Sequence, residues 1–225
     1  MSLDTKINWR SFDAIIFDLD GTLVDSLDQI ERSLNVTRAN FGYEKTPEDQ
    51  VFSKLGLPIR HLFSDLDMSQ SKQDEFICFF REELSRQISI SNQLYSYVPN
   101  LIELIRGYNL KIGIATSKPT RLAEMVIANS EIRGMIHFIQ GTDDFPPKPD
   151  PEVIQRCMSA LKSEKAIMVG DRKEDVLAAS AAGIPAIGIA QSAHSENSLI
   201  ETGAKLTFKR IDLLYEYMNS SIAID

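Results

Sequence analysis

Apolar residues run unbroken through Ala14–Phe17 and stop at an acid, the pattern of a short strand buried on both faces. Further short strands are predicted at Lys111–Ala115, Ile136–Ile139, Ala166–Val169, Pro185–Ile189 and Lys205–Phe208. Helical spacing fills intervals between them: Pro99–Arg106, Pro119–Asn129, a stretch marked by Val153, Ile154, Cys157, Met158 and Leu161, and a segment reaching Ala182, where Gly183 is a natural terminator. A last helix begins at Ile211.

Between about Asp25 and Leu94 the pattern is different, because no convincing strand occurs. Ser26 and Gln29 have capping-box spacing, and Leu27, Ile30, Leu34 and Phe41 then fall near one helix face, with Gly42 suited to its end. Thr46-Pro47 reads as an N-cap and first position of a second helix. A third is predicted from about Gln73 to Ile88, with Phe76, Phe80, Leu84 and Ile88 at steps of four. Alternating strands and helices imply a parallel sheet covered on both sides. The expected fold class is therefore α/β: a Rossmann-like parallel sheet core with an inserted all-helical domain. Residues 1–24 and 95–225 form the core, and 25–94 the insert.

With 225 residues, there is room for a main domain and a smaller insert. The net charge of −8 argues against a general nucleic-acid binder, which would carry a basic face. Cys78 and Cys157 lie in amphipathic helical patterns without metal or redox spacing, so buried thiols are expected. The N-terminus carries no apolar signal segment, and no run approaches the ~18 apolar residues of a membrane span. A reduced, cytoplasmic setting follows as the expectation, with no membrane partner.

In an open parallel sheet, ligands bind beyond the carboxyl ends of the strands. Polar residues recur there: Asp18 and Asp20, Thr116 and Ser117, Lys148 in the loop after its strand, and Asp171 with Asp175. Four acids gathered in one site repel each other and recruit a cation. Carboxylate oxygens without nearby Cys or His ligands favour Mg²⁺ over zinc, and Mg²⁺ is commonly shared with a phosphate. Thr116 and Ser117 stand at a strand end just before a helix, where an anion is favoured. Lys148 lies among prolines, which limit where its ammonium can go.

The motifs "DLDGT" (Asp18–Thr22), "IATSK" (Ile114–Lys118), "KPDP" (Lys148–Pro151) and "VGDRKED" (Val169–Asp175) occur in the order found in haloacid dehalogenase-like hydrolases, which the chain resembles over its whole core. "GLPIR" (Gly56–Arg60) and "SLIETGA" (Ser198–Ala204) are similar to the phosphoglycolate phosphatase-like branch. The resemblance implies that Asp18 is the nucleophile and forms an aspartyl-phosphate. It implies that Asp20 protonates the leaving oxygen and then activates water. Strand alternation lets both acids face one side, with Leu19 pointing elsewhere. Asp18, Leu19, Asp20, Thr116, Ser117 and Lys148 would surround the phosphate. Mg²⁺ would be held by Asp18, the backbone carbonyl of Asp20 and Asp171, with Asp175 supporting the metal or orienting Lys148. An acid at position 20 fits phosphate-ester cleavage or transfer, because haloacid dehalogenases lack one there.

The helical insert is the natural lid over a site otherwise open to water, and the resemblance implies a helical cap. Lys54 and Arg60, flanking "LGLP", are candidates to reach an anionic leaving group; solvated helix-end charges are the other reading. The expected function is a Mg²⁺-dependent phosphatase for a small phosphorylated metabolite, phosphoglycolate-like, as a monomer or homodimer. A phosphomutase of the β-phosphoglucomutase type and a non-catalytic phosphate-binding regulator are the alternatives.

Overall fold

The computed structural model describes residues 7–47, 50–51, 54, 59–91, 93–190 and 192–222. Its frame is one six-stranded, fully parallel sheet: β1 (Ala14–Phe17), β2 (Lys111–Ala115), β3 (Phe138–Gln140), β4 (Ala166–Gly170), β5 (Ala186–Ile189) and β6 (Leu206–Phe208). They lie side by side in the order β3-β2-β1-β4-β5-β6. The first strand is therefore central, with β2 and β4 in register on either side.

The apolar run of β1 feeds two cores. Ile15 and Phe17 join one buried cluster, while Ala14 and Ile16 join the other, as the two-residue side-chain period requires. Helices on both faces complete those clusters, so the predicted doubly covered α/β sheet is present. The first face carries α3 (Val98–Gly107), α4 (Thr120–Ala128) and α8 (Ile211–Ile222); the second carries α5 (Glu152–Leu161), α6 (Lys173–Ala181) and α7 (Ala193–Thr202). Gly183, with φ +77°, closes the segment after α6.

Helix α7 was not foreseen. Its sequence "AHSENSLIET" has no apolar stripe, and of Leu199 and Ile200 only the first is buried. A parallel β5–β6 pair nevertheless needs a crossover, and the Ser192–Ser195 reciprocal cap starts a helix there.

Among the described residues, two long helices lie between β1 and β2 in the chain, before α3. They are α1 (Leu27–Asn40) and α2 (Gln70–Ile90), with a 3₁₀ turn at Ile59–Phe63. Phe76, Phe80, Leu84 and Ile88 are all buried at the expected four-residue steps. Phe76 stacks against Phe41 and Phe63, with ring centres 5.2 and 4.9 Å apart. The chain enters and leaves this block through adjacent linkers, where Asp25 N–H donates to Gln93 O at 3.0 Å and Tyr95 N–H to Leu23 O at 3.0 Å. The helix expected from Thr46-Pro47 falls partly, and "GLPIR" mostly, outside the described residues.

Two local expectations are corrected. Ser26 precedes α1 without a side-chain cap, because Gln29 reaches instead to the carbonyl of Ser91, and the buried Ser26 hydroxyl has no partner among the described residues. Cys157 is buried under the sheet, whereas Cys78 is exposed. It sits two positions from both Phe76 and Phe80, hence on the opposite side of α2.

Candidate active site

Asp18 follows directly on β1, and its N–H donates to Val169 O at 2.8 Å. That bond continues the β1–β4 ladder beyond Phe17 and fixes the carboxylate at the strand tip. Lys148 Nζ donates to Asp18 Oδ1 at 2.7 Å, to Ala115 O at 3.1 Å and to Asp175 Oδ1. All three charged side chains are buried. The other Asp175 oxygen accepts from Arg172 N–H at 2.9 Å, so the same carboxylate caps α6 and orients Lys148.

The structure brings Asp18, Asp171 and Asp175 together, with one ligand oxygen of each within 4.8 Å of the others. Burial raises the pKa of Asp18 to about 6, with repulsion from Asp175 and Asp20 adding to it and Lys148 opposing. Burial, then Asp175 and Asp18, push Asp171 well above the ordinary carboxylate range. Burial disfavours the Lys148 ammonium, but Asp175 and Asp18 outweigh it and hold its pKa above the usual lysine value. Lys148 pairs with Asp18 and Asp175, and Arg172 stands 3.7 Å from Asp171, so three acids face two cations, and all the clustered donors are oxygens. The site fits a hard divalent cation.

Glycines make this crowding possible. A Cβ on Gly170 would lie 2.3 Å from an Asp175 oxygen. Gly21 has φ +85°, and a Cβ there would meet Asp171 Oδ2 at 2.6 Å. Thr22 donates to Asp171 Oδ1 at 2.8 Å, which orients the later acid from the turn after the first strand.

Asp20 is not among the three clustered carboxylates. Its Oδ1 accepts from Lys118 Nζ at 2.6 Å, in a pair of which both side chains are buried. The two acids of the "DLD" triplet therefore each have their own lysine. Leu19 between them packs its side chain in the apolar core, and its carbonyl accepts from Leu23 and Val24, so it contributes no side chain to the site.

A cavity of ≈ 70 Å³ opens over these residues. Asp18, Asp20, Thr116, Ser117 and Lys118 form its floor, and the buried hydroxyl of Ser117 has no partner among the described residues. The opposite wall comes from the helical segment: Ile30, Lys54, Ile59, Leu62, Phe80, Arg81 and Leu84.

The two cations flanking "LGLP" separate here. Lys54 lines the cavity while lying 3.6 Å from Asp65. Arg60 is held on the surface by Gln73 and Asp74, at 2.9 and 3.0 Å. Arg81 occupies the wall instead. Lys118, Thr22 and Arg81 were missed as site residues. The first two sit inside the quoted motifs without a local sign of their tertiary partners, and Arg81 follows a core phenylalanine on a helix read only for its apolar stripe.

Residues 15–189 match the sequence profile of the haloacid dehalogenase-like hydrolases. The chain belongs to this family. The hydrolase is 29% identical to a phosphoglycolate phosphatase from Chromobacterium violaceum over 95% of this chain and 100% of that one. It is 27% identical to the pyrophosphatase PpaX of Bacillus pumilus, over 92% and 97% of the two chains. Among solved structures, a haloacid dehalogenase-like hydrolase from Streptococcus pneumoniae superposes with a TM-score of 0.80 at 26% identity, covering 92% of this chain and 99% of that one. No helix among the described residues of the hydrolase is long and apolar enough to cross a membrane.

Proposed function

We propose that this hydrolase is a Mg²⁺-dependent phosphatase that cleaves a small phosphate monoester through an aspartyl-phosphate on Asp18, with a phosphoglycolate-like acid as the substrate. The observation carrying this reading is that Asp18 and Asp20 line one cavity at the tip of the central strand, each paired to a different buried lysine. A binding site alone would not require two acids so placed.

In this mechanism an Asp18 oxygen attacks phosphorus, and the bond from phosphorus to the leaving oxygen breaks. Asp20 gives that oxygen its proton. Water then attacks phosphorus, the bond to Asp18 breaks, and the water proton passes to Asp20. Ester and water thus become alcohol and phosphate, with both acids regenerated. Thr116 and Ser117 hold the phosphoryl oxygens; Lys148 orients Asp18 and offsets charge as phosphate approaches. Asp18, the backbone carbonyl of Asp20 and Asp171 would hold Mg²⁺, with Asp175 behind them, and the ion would supply positive charge where an anionic nucleophile meets an anionic phosphate.

Residues 25–94 act as the lid, a cap domain over the core of 1–24 and 95–225. The paired linkers at Asp25 and Tyr95 support a hinge there. A cavity of ≈ 70 Å³ between the helical segment and the strand tips suits a small phosphate ester. Lys54 and Arg81 on the lid wall support an acidic one. Free thiols at Cys78 and Cys157 are compatible with a cytoplasmic location.

The test is phosphate release across small phosphate esters, with and without Mg²⁺, for wild type, Asp18→Asn and Asp20→Asn. Both variants are expected to lose turnover, and Asp18→Asn to form no phosphoenzyme. Equal activity in wild type and Asp18→Asn would refute the nucleophile.

A further inference from the structure

The pair Lys118–Asp20 is not explained by phosphate binding or by the carboxylate cluster. The two side chains meet at 2.6 Å with relative exposures of 4% and 10%, at the edge of the cavity. As a stabilising device such a pair is a poor choice, since removing two charges from water costs about as much as their attraction returns. Its position is nevertheless tightly specified. Lys118 N–H donates to Thr116 Oγ1 at 3.3 Å, Lys118 O accepts from Thr142 N–H at 3.1 Å, and Pro119 follows at the start of α4. The lysine stem therefore projects from a pinned backbone.

We propose that Lys118 is the positioning residue of the acid–base group. Its ammonium holds Asp20 Oδ1 and thereby presents Oδ2 to the leaving oxygen and later to water. This rests on the reading of Asp20 as the acid–base group. Lys148 cannot substitute, because its bonds go to Asp18, Asp175 and Ala115. Each acid at the strand tip is thus fixed by a separate lysine: Lys148 aims the nucleophile, and Lys118 aims the proton carrier two residues on.

The role has a signature that neither a phosphate-binding lysine nor a structural ion pair would give. Correct aim of Asp20 matters for the first chemical step only when the departing oxygen is basic and needs a proton. The quantity kcat/KM covers events up to leaving-group departure, so it isolates that step. In Lys118→Met, kcat/KM for 2-phosphoglycolate is expected to fall by roughly 10²–10³-fold, the usual range for a misplaced general acid, and that for 4-nitrophenyl phosphate by under about tenfold. Turnover of the aryl ester should still slow, because water attack also uses Asp20, and a nitrophenol burst should appear. Inhibition by inorganic phosphate should stay within about threefold of wild type, showing a folded, phosphate-competent site. Lys118→Arg should restore most of the alkyl-ester activity.

Equal losses on both esters, or a rise in the phosphate inhibition constant that parallels the loss, would overturn the proposal in favour of direct phosphate binding or plain structure. No turnover of any phosphate ester by the wild-type protein would instead sink the phosphatase reading itself.

Discussion

Lys148 reaches Asp18 at 2.7 Å from a loop 130 residues further along the chain. Removing it leaves Asp18 and Asp175 buried without their shared cation. Lys148→Met is expected to abolish phosphate release and to destabilise the fold by about 3–5 kcal/mol, the range for a buried ion pair robbed of one partner. Urea unfolding measures the second effect, and Lys148→Met combined with Asp175→Asn should recover part of it.

Asp171 gives an expectation of opposite sign. Its carboxylate is buried beside two others, with Thr22 donating to it at 2.8 Å and Arg172 3.7 Å away at the rim. Asp171→Asn keeps an acceptor for Thr22 while removing the repulsion. Without divalent cation the variant should melt higher than wild type, by about 2–4 °C for each kcal/mol relieved. Added Mg²⁺ should raise the wild-type melting temperature but not that of the variant, and the variant should be inactive.

Lys54 and Arg81 share the cavity wall formed by the helical segment, whereas Arg60 is engaged on the surface. Arg81→Gln and Lys54→Gln are expected to raise KM for 2-phosphoglycolate by about 10–100-fold, equivalent to one lost charge-assisted hydrogen bond of about 1.5–3 kcal/mol. The same variants should leave KM for ethyl phosphate, which lacks the carboxylate, within about threefold by the same reckoning. Arg60→Gln should change neither. Steady-state kinetics on the two esters decides the matter.

At the other end of β1, Asp13 ties the central strands together. Its carboxylate accepts from the Ser163 hydroxyl, from Glu164 N–H at 3.0 Å and from Lys165 N–H at 3.2 Å. Partial burial pushes its pKa up, but these bonds and Lys111 prevail and hold it below the ordinary 3.8. A depressed folded pKa means stability that is present above the unfolded value and lost as pH falls through the folded one. Asp13→Asn should therefore cost stability at pH 7, roughly 1 kcal/mol or less because the group is partly solvated. Unfolding curves of the two proteins should converge below about pH 4.

Much of the site was readable because its signals are local. Asp18 follows four apolar residues, and two-residue alternation alone places Asp18 and Asp20 on one side of a buried strand. The six strands were legible for the same reason, with β3 shifted to Phe138–Gln140 because His137 still bonds Ile112 through its own N–H and its ring nitrogen. Tertiary choices were not legible. Nothing near Lys118 says that its ammonium meets Asp20, nothing near Thr22 points to Asp171, and the spacing of Arg60 and Arg81 does not tell which side of the helical segment meets the cavity. Helix α7 was hidden because, among its described side chains, only Leu199 sinks fully into the sheet; chain connectivity, more than composition, requires it.

The placement of β1 at the middle of the sheet has a consequence for biosynthesis. The strand bearing Asp18 precedes its sheet neighbours β2 and β4 in the chain, and Lys148, Asp171 and Asp175 are translated well after it. A nascent chain halted before Asp175 carries Asp18 but not the carboxylate that anchors Lys148, and the three-acid cluster is incomplete. On the proposed mechanism, such a truncated product is expected to release no phosphate.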